Sequence, residues 1–155
     1  MDIALSLLDA GQADDRRTAK RYEGEYKIEI IINPKLLEIE VPNLRESAGW
    51  ERRDGDYPVL FERCNFWAGA RDADGKLIAF GYITGMGLQH GYLEDVIVHP
   101  DYQKQGIGRK LIATLLEEAE RQGLEIVTLT FAAKHLDFYQ KCGFTHCSGG
   151  IWRKS

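Results

Sequence analysis

The stretch that most limits what this chain can become is GYLEDVIVHPDYQKQGIGRK, from Gly91 to Lys110. An apolar segment, Val96-Ile97-Val98, is halted by Pro100, which has no N–H to give to a sheet ladder. The six residues Gln103-Lys104-Gln105-Gly106-Ile107-Gly108 follow. They lead into an amphipathic segment with Leu111, Ile112, Leu115, Leu116 and Ala119 on one stripe. Strand, glycine loop and helix start in that order make an anion site. Glycines let backbone N–H groups turn toward one point, and the helix adds the positive end of its dipole. Phosphate or pyrophosphate is the natural guest. Two related loops are excluded. A dinucleotide fingerprint needs a third glycine where Leu111 stands. A P-loop needs Gly-Lys-Ser/Thr, and the one Gly-Lys pair here is followed by Leu77.

The rest of the chain organises around this unit. Residues 1–25 read as a loosely held arm, with a short helix at residues 2–10 and a basic cluster at Arg16, Arg17, Lys20 and Arg21. Residues 26–155 read as one domain, large enough for its own core. Tyr26 to Ile32 is a strand with Ile28, Ile30 and Ile32 on one face. Pro42–Gly49 and Asp56–Cys64 are short helices. Phe66–Arg71 and Leu77–Thr84 are strands joined by the turn Asp72-Ala73-Asp74-Gly75. A second turn, Gly85–Gly91, leads to the central strand Tyr92–Val98. The helix from Gly108 to Gln122 stops at Gly123. A strand follows at Ile126–Phe131, then a helix at His135–Cys142 and a strand at Phe144–Ser148, with a further candidate at Ile151–Lys154. The strand-helix-strand step across residues 92–131 requires a parallel crossover. The expected fold is α/β (α+β): a mixed, mostly antiparallel central sheet with helices on both faces.

Two blocks resemble the GNAT superfamily of acetyl-CoA-dependent N-acetyltransferases. The family's loop signature, Gln/Arg-x-x-Gly-x-Gly/Ala after a Val-x-Pro strand end, stands as Gln103 to Gly108 after Val98-His99-Pro100. Its C-terminal helix end, Phe-Tyr-x-Lys-x-Gly-Phe, stands as Phe138 to Phe144. The resemblance spans residues 26–148. It implies an acyl-CoA N-acyltransferase fold whose central strand splays from the next parallel strand to admit the pantetheine arm. It implies acetyl-CoA as co-substrate, its pyrophosphate held by Gln103 and the amides of Gln105, Gly106, Ile107, Gly108 and Arg109. Lys104, Arg109 and Lys110 are either added positive charge for that site or solvated helix charge. The resemblance also gives Tyr139 the role of serving the departing thiolate. One position departs from the pattern: many members carry Asn seven residues before the motif tyrosine, and this chain has Ala132. The segments Gly91-x-x-Glu94-Asp95 and Tyr139 to Phe144 also resemble the glucosamine-phosphate acetyltransferase branch. That branch usually has an acid where Ala132 stands, so the analogy for substrate is poor.

Acetyl transfer from a thioester to an amine makes three demands: the amine must lose a proton, the oxyanion needs a donor, and the thiolate needs a proton or a hydrogen bond. A phenol with pKa about 10 can protonate a thiolate whose conjugate acid lies near 8.5, which suits Tyr139. The bland alternative is a core tyrosine beside Phe138. Glu94 and Asp95 are candidate bases because carboxylates are out of pattern at the start of an apolar strand; otherwise they mark an exposed strand end. Strand geometry points them to opposite faces unless a bulge intervenes. His90 is a weaker candidate, and a water chain can replace a base altogether. A backbone N–H of Val96, Ile97 or Val98, freed by a bulge, is the expected oxyanion donor, which sets these residues beside the thioester. His135, one helical turn before Tyr139, either lines the cofactor groove or caps its helix.

Bulk properties narrow the partners. Twenty basic against 24 acidic side chains give a net charge of −4, which argues against a nucleic-acid surface and suits a cationic small-molecule amine. Aromatics and acids near the early helices, Trp50, Glu51, Asp54, Asp56, Tyr57 and Phe61, are the expected acceptor walls. No apolar run approaches 18 residues, so no membrane span is expected. Met1 to Asp9 is too short and too acidic for a signal peptide. Three cysteines, an odd number, suit a reducing cytoplasm. Cys142, His146 and Cys147, with His135, match no common zinc spacing, so no metal is expected. A terminal strand would leave an edge for a homodimer to pair. The expected function is N-acetyl transfer to a primary amine by direct attack in a ternary complex. The alternatives are an acetyl-CoA-binding regulatory or interaction module without turnover, and a protein (lysine or N-terminal) acetyltransferase.

Overall fold

Alternating apolar residues and one tight hairpin build the sheet. The computed structural model describes residues 27–155, so the arm expected over residues 1–25 lies outside the described residues. The strands are β1 (Ile31–Ile32), β2 (Phe66–Arg71), β3 (Leu77–Thr84), β4 (His90–Val98) and β5 (Ile126–Thr128), lying side by side in that order. The first three pairings are antiparallel. β4 and β5 are parallel, as the strand-helix-strand step requires. At the β2–β3 turn, Asp72 Oδ1 accepts from the amides of Asp74 and Lys76, an Asx-type closure.

Helices cover both faces. On one lie α1 (Glu40–Ser47) and α2 (Tyr57–Arg63). There Val41, Leu44, Trp50 and Tyr57 pack on Leu77, Phe80, Tyr82 and Ile97. On the other lie α3 (Ile107–Arg121) and α4 (Leu136–Lys141). The α3 stripe Ile107, Leu111, Ile112, Leu115 and Ala119 is buried against Ile78, Ile83, Leu93, Val96 and Val98. Each such aliphatic side chain contributes roughly 1.5–3 kcal/mol by leaving water. The helix sits close: a Cβ on Gly81 would lie 3.1 Å from Leu115 Cδ1.

Three expectations need correction. The first strand is only two residues long, although Ile28, Ile30 and Ile32 do pack on the core as expected. β5 ends at Thr128, not Phe131; beyond it, Leu129 and Phe131 pack against the core. The strands expected at Phe144–Ser148 and Ile151–Lys154 are not formed. Gly149-Gly150 interrupts that stretch, and glycine pairs weaken a strand on entropic grounds. Phe144 instead turns inward, its ring 6.0 Å from that of Tyr139. The homodimer expectation therefore has no terminal strand to rest on.

Candidate active site

Of the two loop glycines, Gly106 alone has a left-handed backbone, and Gly108 lies within α3. Lys104 and Gly106 both lie in the left-handed region, at φ +63 and +80. Such residues turn successive backbone N–H groups to one side. Gly106 is the N-cap of α3, and no side chain caps that helix. Lys110 N–H donates to Gly106 O at 3.1 Å, the first bond of the helix. By helix geometry the amides of Ile107, Gly108 and Arg109 then have no acceptor within it. A Cβ on Gly106 would meet nothing within 4 Å, so the space above the loop is open. The Gln103 side chain ties the loop to the end of β4, its Nε2 donating to Val98 O at 3.1 Å.

Beside the loop, the sheet opens. β4 and β5 pair only at His90–Ile126, Gly91–Val127 and Tyr92–Thr128. Past that point β4 has no strand paired on its β5 side among the described residues, at the place where the family resemblance implies a splay. His90 sits where the strands still pair, its Nε2 2.7 Å from Thr128 Oγ1. On the α3 side, Tyr139 is only 1% exposed. Its ring lies 4.8 Å from that of Phe131, 5.1 Å from Phe138 and 6.0 Å from Phe144. Its hydroxyl has no hydrogen-bond partner among the described residues. Burial first, then the nearby Cys142, holds its pKa above the ordinary phenol value. A buried hydroxyl without an acceptor costs about 1–3 kcal/mol, so it is out of keeping with an ordinary core position. Cys142 links the two features, since the charge of Arg109 acts on it as well. His135, 2% exposed, precedes α4 but its side chain makes no capping bond there.

A bulge decides where the carboxylates go. Tyr82 faces Glu94 and Phe80 faces Ile97, so Asp95 and Val96 together oppose Gly81. Asp95 takes φ +51, a left-handed conformation in mid-strand. The extra residue turns both carboxylates to the α1–α2 face. Glu94 Oε2 accepts a short hydrogen bond from Tyr82 OH. Asp95 Oδ2 accepts from Tyr57 OH at 2.7 Å and pairs with Arg45 at 2.9 Å. Arg45 also donates from Nε to Glu51 O at 2.7 Å and stacks 5.2 Å from the Trp50 ring centroid. Burial and the Asp95 charge hold both Tyr57 and Tyr82 well above the ordinary phenol pKa. The two acids therefore differ. Asp95 is locked in a buried ion pair. Glu94 lines an open cavity of about 380 Å³ with Gly55, Asp56, Val59, Leu60, Arg63, Cys64, Tyr82 and Thr84.

The structure thus gathers the sequence-named residues in two places. The Gln103–Arg109 loop, His135 and Tyr139 lie on the α3–α4 side, Glu94 and Asp95 on the other. The unpaired edge of β4 from Leu93 to Val98 runs between them. Trp50 and Tyr57, expected as acceptor walls, are core residues at 8% and 1% exposure, whereas Asp56 does line the cavity. Arg45, Tyr82 and Arg63 were missed. For Arg45 a signal existed: it follows Val41 and Leu44 at helical spacing, inside the buried stripe of α1.

Residues 33–144 match the model of the acetyltransferase (GNAT) family. The chain is 33% identical over 111 residues to glucosamine 6-phosphate N-acetyltransferase of Trypanosoma brucei brucei, covering 72% of each chain. It is 35% identical over 78 residues to the ribosomal protein bS18-alanine N-acetyltransferase of Escherichia coli, covering 48% of this chain and 52% of that one. In fold it is similar to glucosamine-6-phosphate N-acetyltransferase from Arabidopsis thaliana, with a TM-score of 0.68 at 19% identity over 83% of this chain and 99% of that one.

Proposed function

The chain belongs to the acetyltransferase (GNAT) family, and on that premise we propose that it moves an acetyl group from acetyl-CoA to a primary amine, with both bound at once. The observation that carries this reading is the Tyr139 hydroxyl, buried without a partner on the same side of the sheet as the open glycine loop. The loop amides of Ile107, Gly108 and Arg109 suit the pyrophosphate. The unpaired edge of β4 suits the pantetheine arm, and the bulge at Asp95 suits release of a backbone N–H for the oxyanion. The amine nitrogen bonds to the thioester carbon and the C–S bond breaks. The amine proton leaves through Glu94, directly or by water, and Tyr139 O–H gives its proton to the departing sulfur. One proton is lost by the amine and one gained by the thiolate, so charge balances. A covalent cysteine intermediate fits less well, because burial pushes the Cys64 thiol up to about 11 and only the thiolate attacks.

Calorimetric titration of acetyl-CoA into wild type and Gly106→Val, paired with thiol release on a panel of primary amines, tests the reading. Wild type should bind and turn over. The variant's side chain enters the open space above the loop, and affinity should fall at least tenfold, about 1.4 kcal/mol. Equal binding by the two folded proteins removes the loop from the cofactor site. Binding without thiol release on any amine favours the regulatory module.

A further inference from the structure

The acceptor cavity carries two charges of opposite sign that the protein leaves for a ligand. Among the described residues Arg45, Arg52, Arg53, Arg71 and Arg121 are each ion-paired with a carboxylate. Arg63, in the last turn of α2, makes no such pair, yet lines the cavity. Of the two acids that line it, Asp56 is neutralised by Arg53 at 2.5 Å. Glu94 accepts from the Tyr82 hydroxyl and has no ion-pair partner among the described residues. The cavity is therefore dipolar, with carboxylate at one wall and guanidinium at another. Val59 and Leu60 add apolar surface.

From this we infer that the acceptor is a small zwitterion, a primary amine whose carbon skeleton also carries a carboxylate or phosphate. The inference rests on the acetyltransferase reading above and narrows it. The ammonium end is drawn to Glu94, which takes its first proton and passes it to solvent, freeing the lone pair that attacks; the second N–H proton leaves by the same route as the amide forms and balances the one the thiolate gains from Tyr139. The anionic end meets the fork of Arg63, whose planar donors match a carboxylate or phosphate in pairs. A purely cationic amine would gain nothing from Arg63 and would be repelled by it. Specificity of this kind is a difference of two affinities, set by the unfavourable contact as much as by the favourable one.

The test uses matched acceptors on the full chain: ethanolamine against phosphoethanolamine, and n-butylamine against 4-aminobutyrate and 4-aminobutylphosphonate. Each is measured by thiol release with saturating acetyl-CoA and by calorimetric binding. At least one acceptor that carries an anionic group should exceed its partner without one tenfold or more in kcat/KM and in affinity. In Arg63→Ala that ratio should collapse toward one. The substitution is at an exposed position in a helix, so folding is expected to survive; circular dichroism checks it. Preference for carboxylate over phosphonate, or the reverse, identifies which anion Arg63 takes. Amines without an anionic group acetylated as well as their zwitterionic partners would overturn the inference and leave the transferase reading standing. Arg63-dependent binding of zwitterions without any thiol release would do the opposite. If no acceptor that carries an anionic group binds or reacts better than its partner without one, or Arg63→Ala lowers both alike, the zwitterion inference fails.

Discussion

The proposed acetyl transfer asks of one phenol what an ordinary aromatic core would not. Tyr139 packs like a core residue, ringed by three phenylalanines, but a core position would favour phenylalanine over a hydroxyl with nothing to bond. Its raised pKa keeps it protonated across the neutral range, as a proton donor must be. Tyr139→Phe should lower kcat on the order of 10²-fold while KM for acetyl-CoA changes little, because the proton is needed only as the thiolate forms. The same variant should be no less stable to urea, since it removes an unsatisfied hydroxyl from an apolar site. Wild-type turnover by Tyr139→Phe would return the residue to the core. At this scale the sequence singled out residues that broke a pattern, Glu94 and Asp95 in an apolar strand, and Tyr139 within the block that resembles the family's C-terminal helix end. It was not readable for Arg45, because arginine at 4% exposure is rare and its partner Asp95 lies 50 positions away on a strand. Trp50 and Tyr57 misled for a related reason. Aromatics between charged residues read as a binding wall, but here the same residues fill the space under α1 and α2.

At the scale of elements, the bulge in β4 is the feature on which the Glu94–Asp95 side of the sheet depends. It resets the face of every residue after Glu94, so that Val96 and Val98 join the α3 core while Ile97 joins the α1 core. Holding Asp95 at φ +51 costs about 1–3 kcal/mol, and the Arg45 ion pair with the Tyr57 hydrogen bond offsets it. Arg45→Leu would strand the Asp95 carboxylate in a largely buried site. Urea unfolding should show a loss of roughly 3–5 kcal/mol, the usual penalty for breaking a buried pair from one side. Arg45→Leu combined with Asp95→Asn should recover part of that stability, because the uncompensated charge is gone. A stability within 1 kcal/mol of wild type for the single variant would mean the pair does not hold the bulge. The sequence allowed for a bulge but gave no means of placing it, since it arises from register between β3 and β4 rather than from any local signal. The β2–β3 hairpin, by contrast, was legible to the residue, because turn chemistry at Asp72 and Gly75 is local. The terminal strands failed on the same principle. Apolar residues at Phe144 and Ile151 are a local signal, whereas a strand needs a partner edge, and Gly149-Gly150 favours chain without one.

For the molecule as a whole, acid should act in two separable steps. His99, between β4 and the glycine loop, is 9% exposed. Its Nδ1 accepts from the Asp101 amide at 3.1 Å, and its Nε2 faces Lys76 Nζ at 3.2 Å. A doubly protonated ring would thus turn one N–H on an amide donor and the other on an ammonium. Burial, then the Lys76 charge, lowers the His99 pKa below 6.5, against the opposing pull of Asp101 and Asp72. Tyr102 completes the surroundings, its ring 6.0 Å away and its hydroxyl donating to Asp72 at 2.8 Å. With the folded pKa depressed, the unfolded chain takes up the proton first. Stability is complete above pH 6.5 and declines as pH falls through 6.5 toward the folded value. Lower down, Glu40 is held below its ordinary 4.5, first by the hydrogen bond from Arg71. Its stabilisation is present above pH 4.5 and is lost as pH drops through the depressed folded value. A Tm series from pH 8 to pH 3 should therefore show a gentle decline beginning near 6.5 and a steeper one below 4.5. His99→Asn keeps an acceptor for the Asp101 amide but cannot titrate, so it should flatten the upper step alone. Glu40→Gln should soften only the lower. If His99→Asn loses Tm between pH 7 and pH 5 as wild type does, the upper step belongs to another group and His99 is not the residue that couples protonation to the fold.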